Sequence, residues 1–330
     1  MARADVLLVS LPGTAGLREA DAELAASLRR AGAEVAEALA SAPRELRTHA
    51  LNELAWARAG RAAAQAGIEA HQPRAILYST STAALLAPAP GAIRFDAPAA
   101  GNRPGRHGIW QRPVERRRFA AASLLVPWSE GGLAEAPRPR ADAVVVPVPV
   151  TESGPLGERD IAAITYGANP RKKGLADVLA AWASTRREGE ELVVAGLAAP
   201  SNGTVPEGVR YTGMLDRGEY RALLRRARLF VTAPLREDYG IAQLEALADG
   251  CALVTTPAPG PYVALPLARS LDPRLVPAIP SGLAAAVRAA LDEPLPDYTA
   301  RAREALSPWR PEAVDRVVAE ELLPRLVAGD

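Results

Sequence analysis

Along this chain, apolar residues gather in short unbroken runs separated by stretches with helical spacing. Asp5-Val-Leu-Leu-Val-Ser10 is continuous apolar chain, the pattern of a parallel strand covered on both faces. It ends in Pro12-Gly13-Thr14-Ala15-Gly16, and an amphipathic helix from about Glu19 to Ala31 follows, stopped by Gly32. Glu34–Glu37 is a weaker strand, and Arg44–Ala70 a long helix. Arg74–Tyr78, Ala92–Phe95, Ser123–Val126 and Ala143–Val146 read as further strands, with proline-rich breaks near Pro137–Pro139 and Pro147–Pro149. The pattern then restarts. Strands are expected at Ile161–Tyr166, Glu191–Ala195, Val209–Thr212, Leu229–Thr232 and Ala252–Thr255, with helices at Gly174–Thr185, Arg217–Arg226 and from Gly240 to Gly250. Alternation of this kind implies an α/β chain of two doubly wound, Rossmann-like domains with parallel sheets, expected to face one another across a cleft.

Composition agrees with that reading. At 330 residues the chain suits two domains of about 150 residues each. Its 48% hydrophobic and 23% charged content are those of a globular protein. No apolar run approaches the roughly 18 residues that span a bilayer. Met1-Ala2-Arg3-Ala4-Asp5 passes straight into a strand, without the apolar core of a signal peptide. Cys251 is the sole cysteine, which fits a reducing compartment, and its apolar neighbours mark it as a structural thiol. The expected location is cytoplasmic, or peripheral at the inner face of a membrane. A net charge of +1 argues against nucleic acid as a partner. Among 39 basic residues, Lys172 and Lys173 are the two lysines in a chain that otherwise uses arginine.

The most informative stretch is Ala233–Thr256. A strand ends at Thr232, Pro234 breaks the chain, a polar loop carries Glu237, and a helix begins near Gly240 with Ile241, Leu244 and Leu247 on its expected buried side. A glycine at a helix start admits a ligand close to the backbone, and the unpaired N–H groups of the first turn favour an anion. Glu237 and Glu245 flank that position. Carboxylates repel phosphate but accept hydroxyl hydrogens strongly, so a ligand with a diphosphate between two polyols would satisfy all three features. A nucleotide sugar is such a ligand.

Pro234, Glu237, Gly240, Glu245-Ala246 and Gly250 resemble, in register, the donor-binding motif of retaining GT-B glycosyltransferases of family 4. The resemblance implies that Glu237 contacts the donor sugar and Glu245 the ribose hydroxyls, with Tyr239, Gly240 and Ile241 between them. Tyr166-Gly-Ala-Asn-Pro-Arg-Lys-Lys-Gly174 is similar to the family's phosphate loop, which implies donor contacts from Gly167, Arg171, Lys172 and Lys173, with Lys173 on the diphosphate. The family's arginine after the strand-end glycine is Ala168 here. Tyr211-Thr-Gly-Met-Leu-Asp216 stands where the family places the base, which brings Met214 and Leu215 into the donor set. Ser307-Pro-Trp309 and the helix Glu312–Val327 resemble the segment that closes back onto the first domain. The implied division is an acceptor-side domain over residues 1–152, joined by about 311–330, and a donor domain over 153–310.

The first domain is less legible. Gly13, Thr14 and Gly16 lie in a turn similar to the family's glycine-rich turn, although a plain chain reversal accounts for them nearly as well. Asp96 stands where the family often has histidine, and either contacts sugar or acceptor or caps a helix. Arg103 and His107 lie on the polar loop before a helix carrying Arg112, Arg116, Arg117 and Arg118. Such arginines usually form a solvated face, but they also suit a phosphorylated or lipid-linked acceptor. Neither a metal-ligand cluster nor an Asp-x-Asp motif is present.

The resemblance therefore implies a retaining, metal-independent glycosyltransferase with no cofactor, in which Glu237, Lys173 and Asp96 serve catalysis. Its partners would be a nucleotide-sugar donor of unread base and a small-molecule, glycan or lipid-linked acceptor. The alternatives are a catalytically silent nucleotide-sugar scaffold or sensor, a GT-B-fold epimerase or phosphorylase, and a glycosidase, which would have no use for the lysine loop.

Overall fold

The computed structural model describes residues 3–201 and 203–328, apart from the side chains of Ala15 and His107. Its contacts divide the chain into two compact units, Met1–Pro149 with Pro308–Asp330, and Val150–Ser307. Each is a five-stranded, all-parallel sheet with helices between the strands.

In the first unit β1 (Val6–Ser10), β2 (Val35–Leu39), β3 (Ala75–Tyr78), β4 (Ala92–Phe95) and β5 (Leu125–Pro127) lie in the order β2-β1-β3-β4-β5. The strand β1 shows why its sequence carries no polar alternation. Val6 and Leu8 enter one core with Leu24, Leu28, Leu77 and Val126, while Leu7 and Val9 enter another with Tyr78, Ile93, Phe95 and Phe119. The C-terminal segment Pro311–Val327 seals the first of these faces with Val314, Val318, Leu322 and Leu326. Asp315 fastens it, accepting from Ser27 Oγ at 2.5 Å and from Arg30 at 2.7 Å. This segment is not one regular helix. It widens into a π turn at Val318–Leu322 before Pro324, which lacks the N–H that an α ladder needs.

Ala143–Val146, expected as a strand, forms a single bridge between Ala143 and Leu125. Val144 and Val146 donate to the carbonyls of Leu125 and Pro127, but Pro147 and Pro149 follow at once and have no N–H to donate. The segment is extended along β5 without becoming a sixth strand.

In the second unit β6 (Ile161–Tyr166), β7 (Leu192–Ala195), β8 (Val209–Tyr211), β9 (Ala227–Thr232) and β10 (Ala252–Thr255) lie in the order β10-β9-β6-β7-β8. The strand order reverses at β6 and β9, where the connections leave to opposite sides of the sheet. A crevice opens beyond the carboxyl ends of two such strands, and this is where open α/β sheets bind ligands. The segments 167–174 and 233–240 leave from there.

Candidate functional site

Two loops meet at the carboxyl ends of β6 and β9. After β6, Asn169 adopts φ 57° and accepts the backbone N–H of Lys172 through its side chain at 3.2 Å. The loop closes at Gly174 (φ 65°), which caps helix Leu175–Thr185. A Cβ there would stand 1.8 Å from the Ala233 carbonyl, so the close approach of the two loops requires glycine. Backbone bonds from Leu235 N to Lys172 O (2.9 Å) and from Ala233 N to Lys173 O (3.4 Å) complete the junction.

This junction places the lysines beside the acidic residues of the second loop. Lys173 Nζ lies 2.6 Å from Glu237 Oε2, and Lys172 Nζ lies 2.5 Å from Asp238 Oδ2. Arg236 Nε approaches Asp238 Oδ1 at 2.7 Å. Burial works against the charge of Asp238, but the hydrogen bonds and charges of Lys172 and Arg236 outweigh it and hold the carboxyl below its ordinary range. Arg171 is exposed on the first loop. The two loops thus carry more cationic than acidic side chains, leaving positive charge at this point of the surface.

Glu237 is held from three directions. Its N–H donates to Pro259 O at 3.0 Å, and its Oε2 accepts from Gln243 Nε2 at 2.8 Å as well as from Lys173. The residue is 4% exposed. Gly260 (φ 106°) supports the bond to Pro259, because a Cβ there would lie 2.3 Å from the Glu237 carbonyl.

Gly240 begins the helix Ile241–Ala248 with φ 99°, so the backbone turn requires glycine. The helix is buried more fully than its apolar spacing suggests. Ile241 is only partly covered, whereas Gln243 and Glu245 are buried alongside Leu244 and Leu247. Behind it, the Tyr262 hydroxyl bonds Thr255 Oγ1 at 2.8 Å. Burial pushes that phenol well above its ordinary range, so it remains neutral.

Glu245 sits farther along the helix. Its Oε1 accepts from Arg217 at 3.0 Å and from Arg221 at 3.3 Å. Burial nevertheless pushes its carboxyl above the usual range, opposed by these two arginines. Arg221 continues to Asp249 Oδ2 (2.5 Å) and the Thr151 carbonyl (2.6 Å), and Asp249 in turn holds Ser153. The rings of Tyr166 and Tyr220 lie nearby, with centroids 5.5 Å apart.

The segment expected to face the base continues from β8. Gly213 (φ 72°) pairs with Leu197, after which Met214 is 82% exposed and Leu215 partly covered. Gly167 follows β6, and a Cβ there would press on Val194 at 2.8 Å. Tyr239 is buried between Glu237 and the helix. The structure therefore brings Lys172, Lys173, Glu237, Tyr239, Gly240 and Ile241 together at one loop junction, with Gly167 and Arg171 on the first of its loops.

The first-unit residues expected on the acceptor side occupy three places. Thr14 caps helix Ala15–Arg30, its hydroxyl accepting from Leu17 N at 3.4 Å, while Gly13 O accepts from Arg18 at 2.6 Å and Gly16 lies inside the helix. Asp96 follows β4, half-buried, and accepts the N–H of Ala97 at 2.7 Å. Arg103 is tied to Glu53 Oε1 at 3.1 Å, in a cluster where Gln111 and Thr82 also donate to Glu53. His107 lies on the turn Gly105–Gly108, its side chain outside the described residues.

Sequence reasoning missed Asp238, Arg236, Gln243, Tyr262, Arg217 and Arg221. One signal was available: Gln243 is a polar residue set among Ile241, Leu244 and Leu247 on a helix otherwise apolar as far as Glu245. Among the described residues, no group of three or more His, Cys, Asp or Glu side chains is arranged to hold a metal ion. None of their helices is long and apolar enough to cross a membrane.

Residues 160–293 match the family model of glycosyl transferases group 1. The glycogen synthase of Mycobacterium tuberculosis strain H37Rv is 35% identical over 136 residues, covering 37% of this chain and 32% of that protein. The match thus spans about a third of the curated relative's length. Sucrose-phosphate synthase from Thermosynechococcus elongatus superposes with a TM-score of 0.78 at 16% identity, covering 99% of this chain and 100% of that one. WaaG, a glycosyltransferase involved in lipopolysaccharide biosynthesis, gives a TM-score of 0.66 at 16% identity, covering 98% and 97% of the two chains. At these identities the likeness to the solved structures is one of fold.

Proposed function

We propose, from the premise that residues 160–293 are a glycosyl transferases group 1 domain within a GT-B fold, that this chain transfers sugar from a nucleotide-sugar donor to a hydroxyl acceptor. One observation carries the reading: Lys173 Nζ and Glu237 Oε2 are 2.6 Å apart at the carboxyl ends of β6 and β9. A cation for a diphosphate and a carboxylate for sugar hydroxyls then stand side by side, as the junction of sugar and phosphate requires. Gly240 and the first-turn N–H groups of its helix add neutral donors to the phosphates, and Glu245 lies farther along for the ribose.

The reaction is read as retaining. The bond from the anomeric carbon to the diphosphate oxygen breaks, and the acceptor oxygen bonds the same face of that carbon. The acceptor's proton passes to the departing phosphate oxygen. Lys173, Lys172 and Arg171 stabilise the charge that accumulates on the leaving diphosphate, and Glu237 holds the sugar, so that catalysis consists of positioning and charge stabilisation. The side-chain cations already compensate Glu237, Asp238 and Glu245, which supports a reading without a metal. The acceptor side is assigned to the first unit, with Asp96 as its polar contact and Gly13, Thr14, Gly16, Arg103 and His107 around it. A small-molecule, glycan or lipid-linked acceptor, the last implying peripheral membrane contact, fits this assignment.

Slow hydrolysis of the donor tests the reading without an acceptor. Proton NMR should show release of a sugar that keeps the donor's anomeric configuration, at a rate indifferent to chelator. A sugar of inverted configuration, or a chelator-sensitive rate, contradicts the mechanism. Donor binding without any hydrolysis or transfer would favour the scaffold reading.

A further inference from the structure

The donor-site carboxylate Glu237 is gripped by a side chain outside the motif positions Pro234, Glu237, Gly240, Glu245 and Gly250. Gln243 is 1% exposed, lies in the first turn of the Gly240 helix, and stands 2.8 Å through Nε2 from Glu237 Oε2. An ionised carboxylate accepts and cannot donate, and Glu237 is paired as such with the Lys173 ammonium at 2.6 Å. The amide nitrogen must therefore face Glu237, which fixes the orientation of the carboxamide. The Tyr262 hydroxyl bonds Thr255 at 2.8 Å, and Gln243 Oε1 is buried without a hydrogen-bond partner among the described residues. The polar contact of the carboxamide therefore runs through Nε2 to Glu237, and from Glu237 to Lys173.

Both side-chain bonds to Glu237 fall on Oε2. A carboxylate held at one oxygen by an ammonium alone can swing about that point, because Lys173 reaches it on a flexible stem. A second donor from a rigid helix turn removes that freedom and presents Oε1 in one direction. We infer that Gln243 is a positioning residue for Glu237, holding Oε2 so that Oε1 meets a hydroxyl of the donor sugar. This rests on the proposed donor site and extends it to a residue that touches no phosphate.

Sugar and nucleotide should then respond differently to a change at this position. Loss of Gln243 weakens the contact that only the sugar makes, and leaves the nucleoside diphosphate to Lys172, Lys173 and the helix start. The test uses the full-length chain and calorimetric titration of Gln243→Met, which keeps the unbranched shape, and Gln243→Glu, which keeps the size but removes the donor. The titrants are a nucleotide sugar and the corresponding nucleoside diphosphate, with the base that the wild-type chain prefers.

For both variants we expect the nucleotide sugar to bind about tenfold more weakly, and the nucleoside diphosphate within about twofold of wild type. Gln243→Glu places a second carboxylate beside Glu237, so its nucleotide-sugar affinity should vary more steeply with pH than that of wild type. Equal weakening of both ligands, or no weakening of either, overturns the positioning role. Variants that fail to fold would show the side chain to be part of the core rather than of the site, and overturn it as well. Failure of the wild-type chain to bind any nucleotide sugar overturns the donor-site reading itself, and the inference with it.

Discussion

Lys173 and Glu237, 64 positions apart in sequence, form an ion pair of 2.6 Å with both side chains largely buried, at 17% and 6% exposure. Each supplies the other's counter-charge. Replacing Lys173 by Met should lower turnover roughly a hundredfold or more, as expected when a charge-stabilising group is removed from a preorganised site. It should also cost about 1–3 kcal/mol of stability, because the buried Glu237 carboxylate loses its ammonium partner. Steady-state donor hydrolysis and denaturant melts measure the two effects. Near-normal turnover contradicts the role of Lys173.

The loop junction depends on glycine at one position in particular. Gly174→Ala would set a methyl group 1.8 Å from the Ala233 carbonyl at φ 65°. We expect a loss of about 3 kcal/mol or more, since backbone cannot yield as a flexible side chain does. Gly189→Ala is the control: its φ is 81°, but nothing stands within 4 Å of the added carbon. That variant should cost only about 1 kcal/mol, the penalty of the left-handed backbone alone. Equal losses in urea melts would mean that the close approach is not what selects glycine at 174.

In the first unit Asp21 and Arg94 form a pair at 2.8 Å with side-chain exposures of 6% and 1%, and Arg94 stacks on Trp128 at 4.8 Å. Asp21→Ala should destabilise the fold by about 3–5 kcal/mol, because the buried guanidinium loses that carboxylate. Adding Arg94→Met should restore much of that loss. A double-mutant cycle in urea checks the coupling, and additive losses would rule it out.

Glu115 gives a pH dependence of defined sign. Burial, with hydrogen bonds from Ser81 and Ala99 N opposing it, pushes its carboxyl to about 7. The folded chain therefore holds this proton more tightly than the unfolded chain does. Its contribution to stability is fully present below the ordinary value of 4.5 and is lost as pH rises through about 7. Roughly 3 kcal/mol is at stake by linkage. Urea melts of wild type should lose stability from about pH 4.5 to about pH 7.5, and Glu115→Gln should flatten that slope. A slope unchanged in the variant would place the titration elsewhere.

Much of the fold was legible because burial leaves a local trace. The run Val6–Val9 is apolar throughout since alternate residues enter two different cores, and this is visible without coordinates. The segment Ala143–Val146 has a similar composition but gains one bridge, because neighbouring prolines remove the donors a ladder needs. The prolines at 147 and 149 were the trace in the sequence that separates the two cases. In the site, Glu237 and Gly240 were singled out from spacing and loop position, and Lys173 from the resemblance of its loop. Their partners were not: Asp238 with Lys172, and Glu245 with Arg217 and Arg221, meet across 66, 28 and 24 positions through the folding of the sheet. Gln243 was marked in the sequence as a polar residue in an otherwise apolar helix start, but its partner shows only once Glu237 lies against it.

The most direct measurement of the central claim is a thermal-shift screen of the chain against UDP-, GDP-, ADP- and TDP-sugars, with Glu245→Ala alongside. A rise in Tm with one nucleotide class, lost in the variant, is the predicted result and would also identify the base. No rise with any of the four, under conditions where the wild-type chain melts cooperatively, would contradict the claim that this is a nucleotide-sugar-dependent enzyme.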